Sequence, residues 1–179
     1  MAPQFHPSPE REKARYETHM NDIRDPGYRN FVRPLTEMVM EFYRPGSLGL
    51  DFGAGTGPVA ADILQGKNYD ISLYDPFFWN DAGKLESTYD FVICSEVIEH
   101  FHRPAKEFAL LRTLIRPGGS LFCMTELLTD DIDFSGWWYK NDETHVFFYH
   151  PGSIRWIQSA CSFDQAEIKS KIIRFSLHK

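Results

Sequence analysis

Leu48-Gly49-Leu50-Asp51-Phe52-Gly53-Ala54-Gly55-Thr56-Gly57 is the stretch whose reading decides the fold. It reads as a buried strand that runs into a glycine-rich turn, with Asp51 at the strand end and Gly53, Gly55 and Gly57 at alternate positions. Pro58 follows in the first turn of a helix, where its missing N–H costs nothing. Glycines at this spacing adopt positive φ and let the backbone approach a ligand closely. The acid ahead of them is unsuited to a phosphate and suits a cation or a hydroxyl or ammonium donor. A plain strand-to-helix turn has the same glycines, so the downstream segments must decide.

Ile71-Ser72-Leu73-Tyr74-Asp75 is a second apolar run ending in an acid, eighteen residues after Gly57. A carboxylate there is placed to accept both ribose hydroxyls of a nucleoside. Tyr89-Asp90-Phe91-Val92-Ile93-Cys94-Ser95-Glu96 is a third run, and Arg116-Pro117-Gly118-Gly119-Ser120-Leu121-Phe122-Cys123-Met124 is a turn followed by a fourth. A cation beside a ribose points away from ATP and towards S-adenosylmethionine. In this order, over positions 48 to 128, these motifs resemble the class I S-adenosylmethionine-dependent methyltransferases. The resemblance implies that Asp51, Gly53, Ala54, Gly55 and Gly57 hold the methionyl end of the cofactor. It places Asp75, Pro76 and Phe77 around the ribose and Ser95 and Glu96 near the reactive methyl. The dinucleotide fingerprint G-x-G-x-x-G does not stand here, which disfavours a nicotinamide-dependent oxidoreductase. A cofactor-binding module without catalysis remains the other alternative.

At 179 residues the chain is long enough for one domain with one core. The expected organisation is a disordered segment 1–8, a helical cap over 9–46 and a Rossmann-like core over 47–179. No apolar run approaches the ~18 residues of a membrane span, and the N-terminus lacks the regions of a signal peptide. Cys94, Cys123 and Cys161 show no metal or redox spacing and read as small apolar residues, which suits a reducing cytoplasm. A net charge of −6 argues against a broad nucleic-acid surface, although Arg24, Arg29, Arg33 and Arg44 gather near the N-terminal side. A small-molecule methyl acceptor is the expected partner. The sequence specifies neither its identity nor an oligomeric state.

Pro9 is expected to open a charged helix through about Met20, and Asp25-Pro26 to cap a second. Phe31, Leu35, Met38, Val39 and Phe42 give that second helix an apolar face. Pro34 is expected to kink or divide it. Further helices are expected from Pro58 to about Gln65, from Pro104 and from Pro151. The alternation implies an α/β, doubly wound, mostly parallel sheet. The tail from Asp164 to Leu177 should close it with one or two antiparallel strands.

Only fifteen residues separate Asp75 from Phe91. That is too short for a helix and a paired strand, so the third-strand region should be shortened. In the family, the end of that strand often carries an acid near the adenine amino group, and no residue here matches it. Phe77, Phe78 and Trp79 either cover the adenine or plug the bare sheet edge.

Ser95-Glu96-Val97-Ile98-Glu99-His100 follows the strand at whose carboxyl end a methyl acceptor must sit. A helical turn starting at Glu96 would project Glu96, Glu99 and His100 from one face. Such a face can hold a divalent ion, supply a general base, or simply solvate a helix start. Glu-x-x-Glu-His in this place resembles ubiquinone-biosynthesis O-methyltransferases and small-RNA terminal 2′-O-methyltransferases. That resemblance implies a metal site of Glu96, Glu99, His100 and a later histidine, matched here by His145, with Mn²⁺, Fe²⁺ or Zn²⁺ preferred to Mg²⁺. Without metal, Glu96 and His100 are the candidate catalytic residues, acting on an oxygen acceptor. Trp137, Trp138 and Tyr139 read as a lid or as sheet packing, and Arg15, Tyr16, His19 and Asn21 as closing over the methionyl carboxylate or as a solvated face.

Overall fold

The computed structural model describes residues 1–18 and 22–179. Met20, His19 and Asn21, the last two expected over the methionyl carboxylate, lie outside the described residues. Two helices lead in, α1 (Pro9–Glu17) and α2 (Pro26–Phe42). The core runs β1 (Leu48–Phe52), α3 (Val59–Gln65), β2 (Asp70–Tyr74), β3 (Tyr89–Ser95), α4 (Pro104–Thr113), β4 (Ile115–Met124), α5 (Pro151–Ala160), β5 (Gln165–Lys169) and β6 (Ile172–Ser176). The six strands form one sheet in the order β2-β1-β3-β4-β6-β5. The first four are parallel, and β6 and β5 close the sheet antiparallel. This is the α/β, doubly wound, mostly parallel architecture that the sequence predicts. No helix among the described residues is long and apolar enough to cross a membrane.

Parallel strands covered on both faces bury successive side chains in opposite layers. Phe91 and Ile93 of β3 pack with Leu35 and Val39 of α2 and Leu64 of α3, whereas Val92 and Cys94 pack with Phe108 and Leu111 of α4 and Ile154 of α5. Cys94 and Cys123 are both fully buried and pair in register across β3 and β4, as small core residues should. The helices start where the caps allow. Asp25 accepts the Gly27 N–H at 2.9 Å, and the Arg11 N–H reaches Ser8 Oγ at 3.4 Å.

The shortened region is confirmed. Between Asp75 and Phe91 there is one 3-10 turn, Ala82–Glu86, and a single bridge of Asp75 to Trp79, so β2 is the sheet edge. Other expectations are corrected. Pro34 does not divide α2, which is continuous. Pro34 sits on the exposed face of the helix. α1 ends at Glu17. Residues 1–8 form a 3-10 turn at Pro3–Phe5, held by the N-terminal ammonium on the Val146 carbonyl and by His6 against His102, with ring centroids 4.4 Å apart. Arg29 pairs with Asp62 and Arg24 with Asp22, which absorbs charge the sequence suggested for a basic patch.

Gly49 lies where β1 is squeezed between its neighbours. A Cβ there would fall 2.5 Å from the Phe91 ring and 2.7 Å from Ile71 Cδ1. Gly49→Ala should therefore lower stability by about 1–3 kcal/mol through overpacking, read as a lower urea midpoint at unchanged slope. A midpoint equal to the parent's would contradict this packing.

Candidate active site

The carboxyl ends of β1, β2 and β3 open into a cavity of about 670 Å³, the place where ligands bind in open α/β sheets. Asp51, the glycine turn, Asp75, Pro76, Phe77, Ser95 and Glu96 all line it, as do His100 and His145. The turn is built for close approach. Gly53 has φ +82° and its missing Cβ would lie 2.6 Å from Val97, while Gly55 has φ +59°. The Gly53 and Ala54 N–H groups both donate to the Tyr74 carbonyl, at 2.8 and 3.1 Å.

Asp75 is buried and holds this end together. Its Oδ2 accepts the Gly55 N–H at 3.0 Å, and its Oδ1 accepts the Phe77 and Phe78 N–H groups at 2.8 and 3.1 Å. The Trp79 indole N–H donates to the Gly55 carbonyl at 2.8 Å. Of the three aromatics, Phe77 and Phe78 line the cavity while Trp79 braces the glycine turn at the sheet edge.

Asp51 is almost wholly buried. Burial pushes its pKa up to about 7, against the relief of the Ala61 backbone N–H, and nearby Asp75 adds to the rise. A cation beside such a carboxyl would favour its ionised form.

At the other end no helical turn begins at Glu96, contrary to expectation. Glu96 takes φ +53°, a costly conformation for a residue with a side chain, and a 3-10 turn follows at Ile98–His100. Even so, Glu99, His100 and His145 converge, with ligand atoms all within 4.8 Å of one another. Glu96 stands outside that trio and is joined to it through Tyr139, whose hydroxyl lies 2.6 Å from Glu99 Oε1 and 3.1 Å from Glu96 Oε2.

The later histidine reaches the cluster because the Glu99 carbonyl accepts both the Val146 and Phe147 N–H groups at 3.0 Å. Both imidazoles are oriented alike. His100 Nδ1 donates to the Thr144 carbonyl at 2.9 Å and His145 Nδ1 to the Tyr139 carbonyl at 2.7 Å. A carbonyl can only accept, so each ring carries a proton on Nδ1.

Glu99 is fully buried, and burial raises its pKa; burial, with Glu99 next to it, pushes Glu96 up to about 8. Burial lowers the pKa of His145, against the pull of Glu99. The Tyr139 hydroxyl is held protonated by its own burial and by the two glutamates, so it stays a donor.

Several residues carry this site without a signal in the sequence strong enough to find them. Tyr139 is legible there only as one of three adjacent aromatics. The structure turns Trp137 and Tyr139 inward and leaves Trp138 exposed, which favours packing over a lid for the first and third. Tyr16 of α1 lies edge-on to His100 at 5.3 Å and 5.9 Å from Phe77, roofing the cavity. Arg15 does not reach into the cavity and instead pairs with Asp142 at 2.7 Å. His102, which carries no spacing argument, meets Glu12 at 2.8 Å on the cavity wall.

A Rossmann-like sheet with a glycine-rich turn after β1 and an acid after β2 defines a nucleoside-cofactor enzyme fold. A family model described as a methyltransferase domain matches residues 27–164, and the chain belongs to that family. No curated protein sequence matches it. Among solved structures it is similar to a SAM-dependent methyltransferase from Archaeoglobus fulgidus, at 17% identity over 78% of this chain and 71% of that one, with a TM-score of 0.63. An O-methyltransferase family protein from Burkholderia thailandensis gives 13% identity, 94% and 63% coverage, and 0.61. Phosphoethanolamine N-methyltransferase 2 of Haemonchus contortus, solved with S-adenosyl-L-methionine, gives 16%, 76% and 38%, and 0.59. The chain thus spans 63% and 38% of the lengths of the last two. At these identities the likeness shows the fold.

S-adenosylmethionine is the cofactor that family membership implies, and the cavity's chemistry suits it. Buried Ser95 Oγ and Glu96 Oε1 have no hydrogen-bond partner among the described residues, and Asp51 faces the same space.

The Asp51 shift has a consequence for the empty protein. A carboxyl whose pKa is raised on folding stabilises the fold below its unfolded value, near 4, and loses that contribution as pH rises through about 7. Thermal midpoints should fall between pH 5 and pH 8 with a component that Asp51→Asn removes. An identical slope in the variant would show that Asp51 does not titrate there.

Proposed function

We propose that the chain is an S-adenosylmethionine-dependent methyltransferase that acts on an oxygen of a small-molecule acceptor. The observation that carries the oxygen reading is the Glu99, His100 and His145 cluster at the end of the cavity reached from Ser95 and Glu96. A sulfonium methyl is already activated, and the remaining work is to align and deprotonate the acceptor. Two imidazoles beside a buried carboxylate are the groups for that proton.

Asp51 and the glycine turn bind the methionyl portion, and Asp75 keeps a lone pair for the ribose hydroxyls after meeting three backbone amides. Tyr16 and Tyr28 exclude water from the space where acceptor and methyl meet. Asp75→Ala should weaken S-adenosylhomocysteine binding by roughly 10- to 100-fold, about 1.5–3 kcal/mol, while NAD binds to neither protein. Equal affinity in calorimetry would overturn the ribose assignment.

The same cluster fits a divalent metal. Glu99 Oε2 is buried without a partner among the described residues, and two histidines with one carboxylate suit Mn²⁺, Fe²⁺ or Zn²⁺. Glu99, His100 and His145 would hold the ion, with Glu96 one hydroxyl away. When bound, it would supply Lewis acidity to an acceptor hydroxyl. The subgroup reading, with ubiquinone-biosynthesis O-methyltransferases as the model, rests on this cluster.

Purified protein should take up about one equivalent of Mn²⁺ or Zn²⁺ by calorimetry, and His145→Ala should lose it. Chelation should abolish methyl transfer. Uptake unchanged in His145→Ala, or full activity after exhaustive chelation, would remove the metal and leave His100 as the base.

A further inference from the structure

The cofactor's base has no assigned partner. Among the described residues the sheet has no strand beyond β2, and the two acids in the intervening segment, Asp81 and Glu86, are exposed and do not line the cavity. Asp81 is occupied instead with the Gly83 N–H at 3.0 Å. The lining also includes Phe101, His102 and two residues of α4, Glu107 and Leu110; this wall joins the Asp75 end through Phe52, whose ring lies 6.3 Å from Phe101 and 5.2 Å from Tyr74, the residue before Asp75.

Glu107 and Leu110 stand one turn apart and share the helix face turned to the cavity. Phe108 and Leu111 point into the core. This wall carries two carboxylates, and their states differ. Glu12 is engaged, with Oε1 accepting from His102 at 2.8 Å. Glu107 is half-buried, and its Oε2 is fully buried with no hydrogen-bond partner among the described residues. A buried acceptor left empty is costly, and because Glu107 lines the cavity a bound ligand can supply the missing donor.

The ligand this wall fits is flat, has apolar faces, and carries a hydrogen-bond donor on its edge. Phe101 and Leu110 offer apolar surface, and Glu107 offers an acceptor only. Adenine meets these terms with its exocyclic amino group. A purine with a carbonyl at that position presents an acceptor to an acceptor.

We propose that Glu107 binds the amino edge of the cofactor's adenine, so that base selection comes from α4 on one side of the cavity rather than from a strand beside β2. This rests on the S-adenosylmethionine reading above.

Calorimetry with S-adenosylhomocysteine and S-inosylhomocysteine tests it. The parent should prefer the adenosyl compound by about 10- to 100-fold. E107Q keeps the shape and adds an amide donor, so it should narrow that ratio at least tenfold, chiefly by gaining inosyl affinity. E107A should weaken adenosyl binding about tenfold and leave the inosyl compound little changed. An adenosyl-to-inosyl ratio in E107Q equal to the parent's overturns the assignment even if E107A fails to fold. Failure of the parent to bind S-adenosylhomocysteine at all would instead refute the cofactor reading, and this proposal with it.

Discussion

Three backbone N–H groups on one buried carboxylate set the shape of the cavity at the carboxyl ends of the strands. Asp75 ends the outermost strand of the sheet, where the chain leaves β2 with no neighbouring strand to guide it. Its two oxygens tie the glycine turn, through Gly55, to the departing chain, through Phe77 and Phe78. Trp79 closes the loop by pairing its backbone with Asp75 and its indole with the Gly55 carbonyl. Without that carboxylate three amides would lose their acceptor near the surface of a cavity, each at a cost of about 1–3 kcal/mol if left unsatisfied. The residue assigned to the ribose is therefore also what holds the glycine turn in place. Loss of Asp75 would disturb the glycine turn as well.

The opposite end uses the same device in reverse. There a buried backbone carbonyl, that of Glu99, gathers the Val146 and Phe147 amides and draws the 142–149 segment onto the turn after β3. The Thr144 carbonyl of that segment then orients His100, and the Tyr139 carbonyl orients His145. Asp142 stabilises the segment. Burial opposes its ionisation, but the Thr144 hydroxyl and amide and the Arg15 guanidinium outweigh that and hold its carboxyl below the usual range. Protonation states at the site are thus set by burial first, and hydrogen bonds and neighbouring charges modify them.

Much of this is legible in the sequence because it rests on local chemistry. A strand ending in Asp51 before alternating glycines, a cap at Asp25, and a span of fifteen residues too short for a strand and helix are each decided within a few positions. His145 is reachable only through the family resemblance, because no spacing rule links it to Glu99. Three features escape. Glu96 reads as the start of a helical turn, yet its amide is taken by the Met124 carbonyl of the neighbouring strand and its φ is positive, so tertiary pairing overrides the helical spacing. Tyr139 reads with its neighbours as a lid or as sheet packing; it is buried as packing requires, but neither reading makes it the donor at the centre of the cluster, between two glutamates. Pro34 reads as a break, but on a solvent-facing helix surface it leaves the buried face of α2 intact.

The N-terminal helix shows why the rest is illegible. α1 has nine residues, too few to be stable alone, and its sequence is strongly polar. Its place comes from contacts with residues far along the chain: Glu12 with His102, Arg15 with Asp142, Arg11 with Glu143, and the Tyr16 ring against His100. The exposed Arg11 pair adds little. The weight falls on Glu12, which is buried and whose pKa burial raises against the pull of His102, and on Tyr16, half-buried over the cavity. Both partners, His100 and His102, belong to the turn after β3, so this helix has its full set of contacts only where the site itself is built. A charged amphipathic pattern cannot encode that dependence. The roof of the cavity is consequently the part of the fold most sensitive to changes in the residues beneath it.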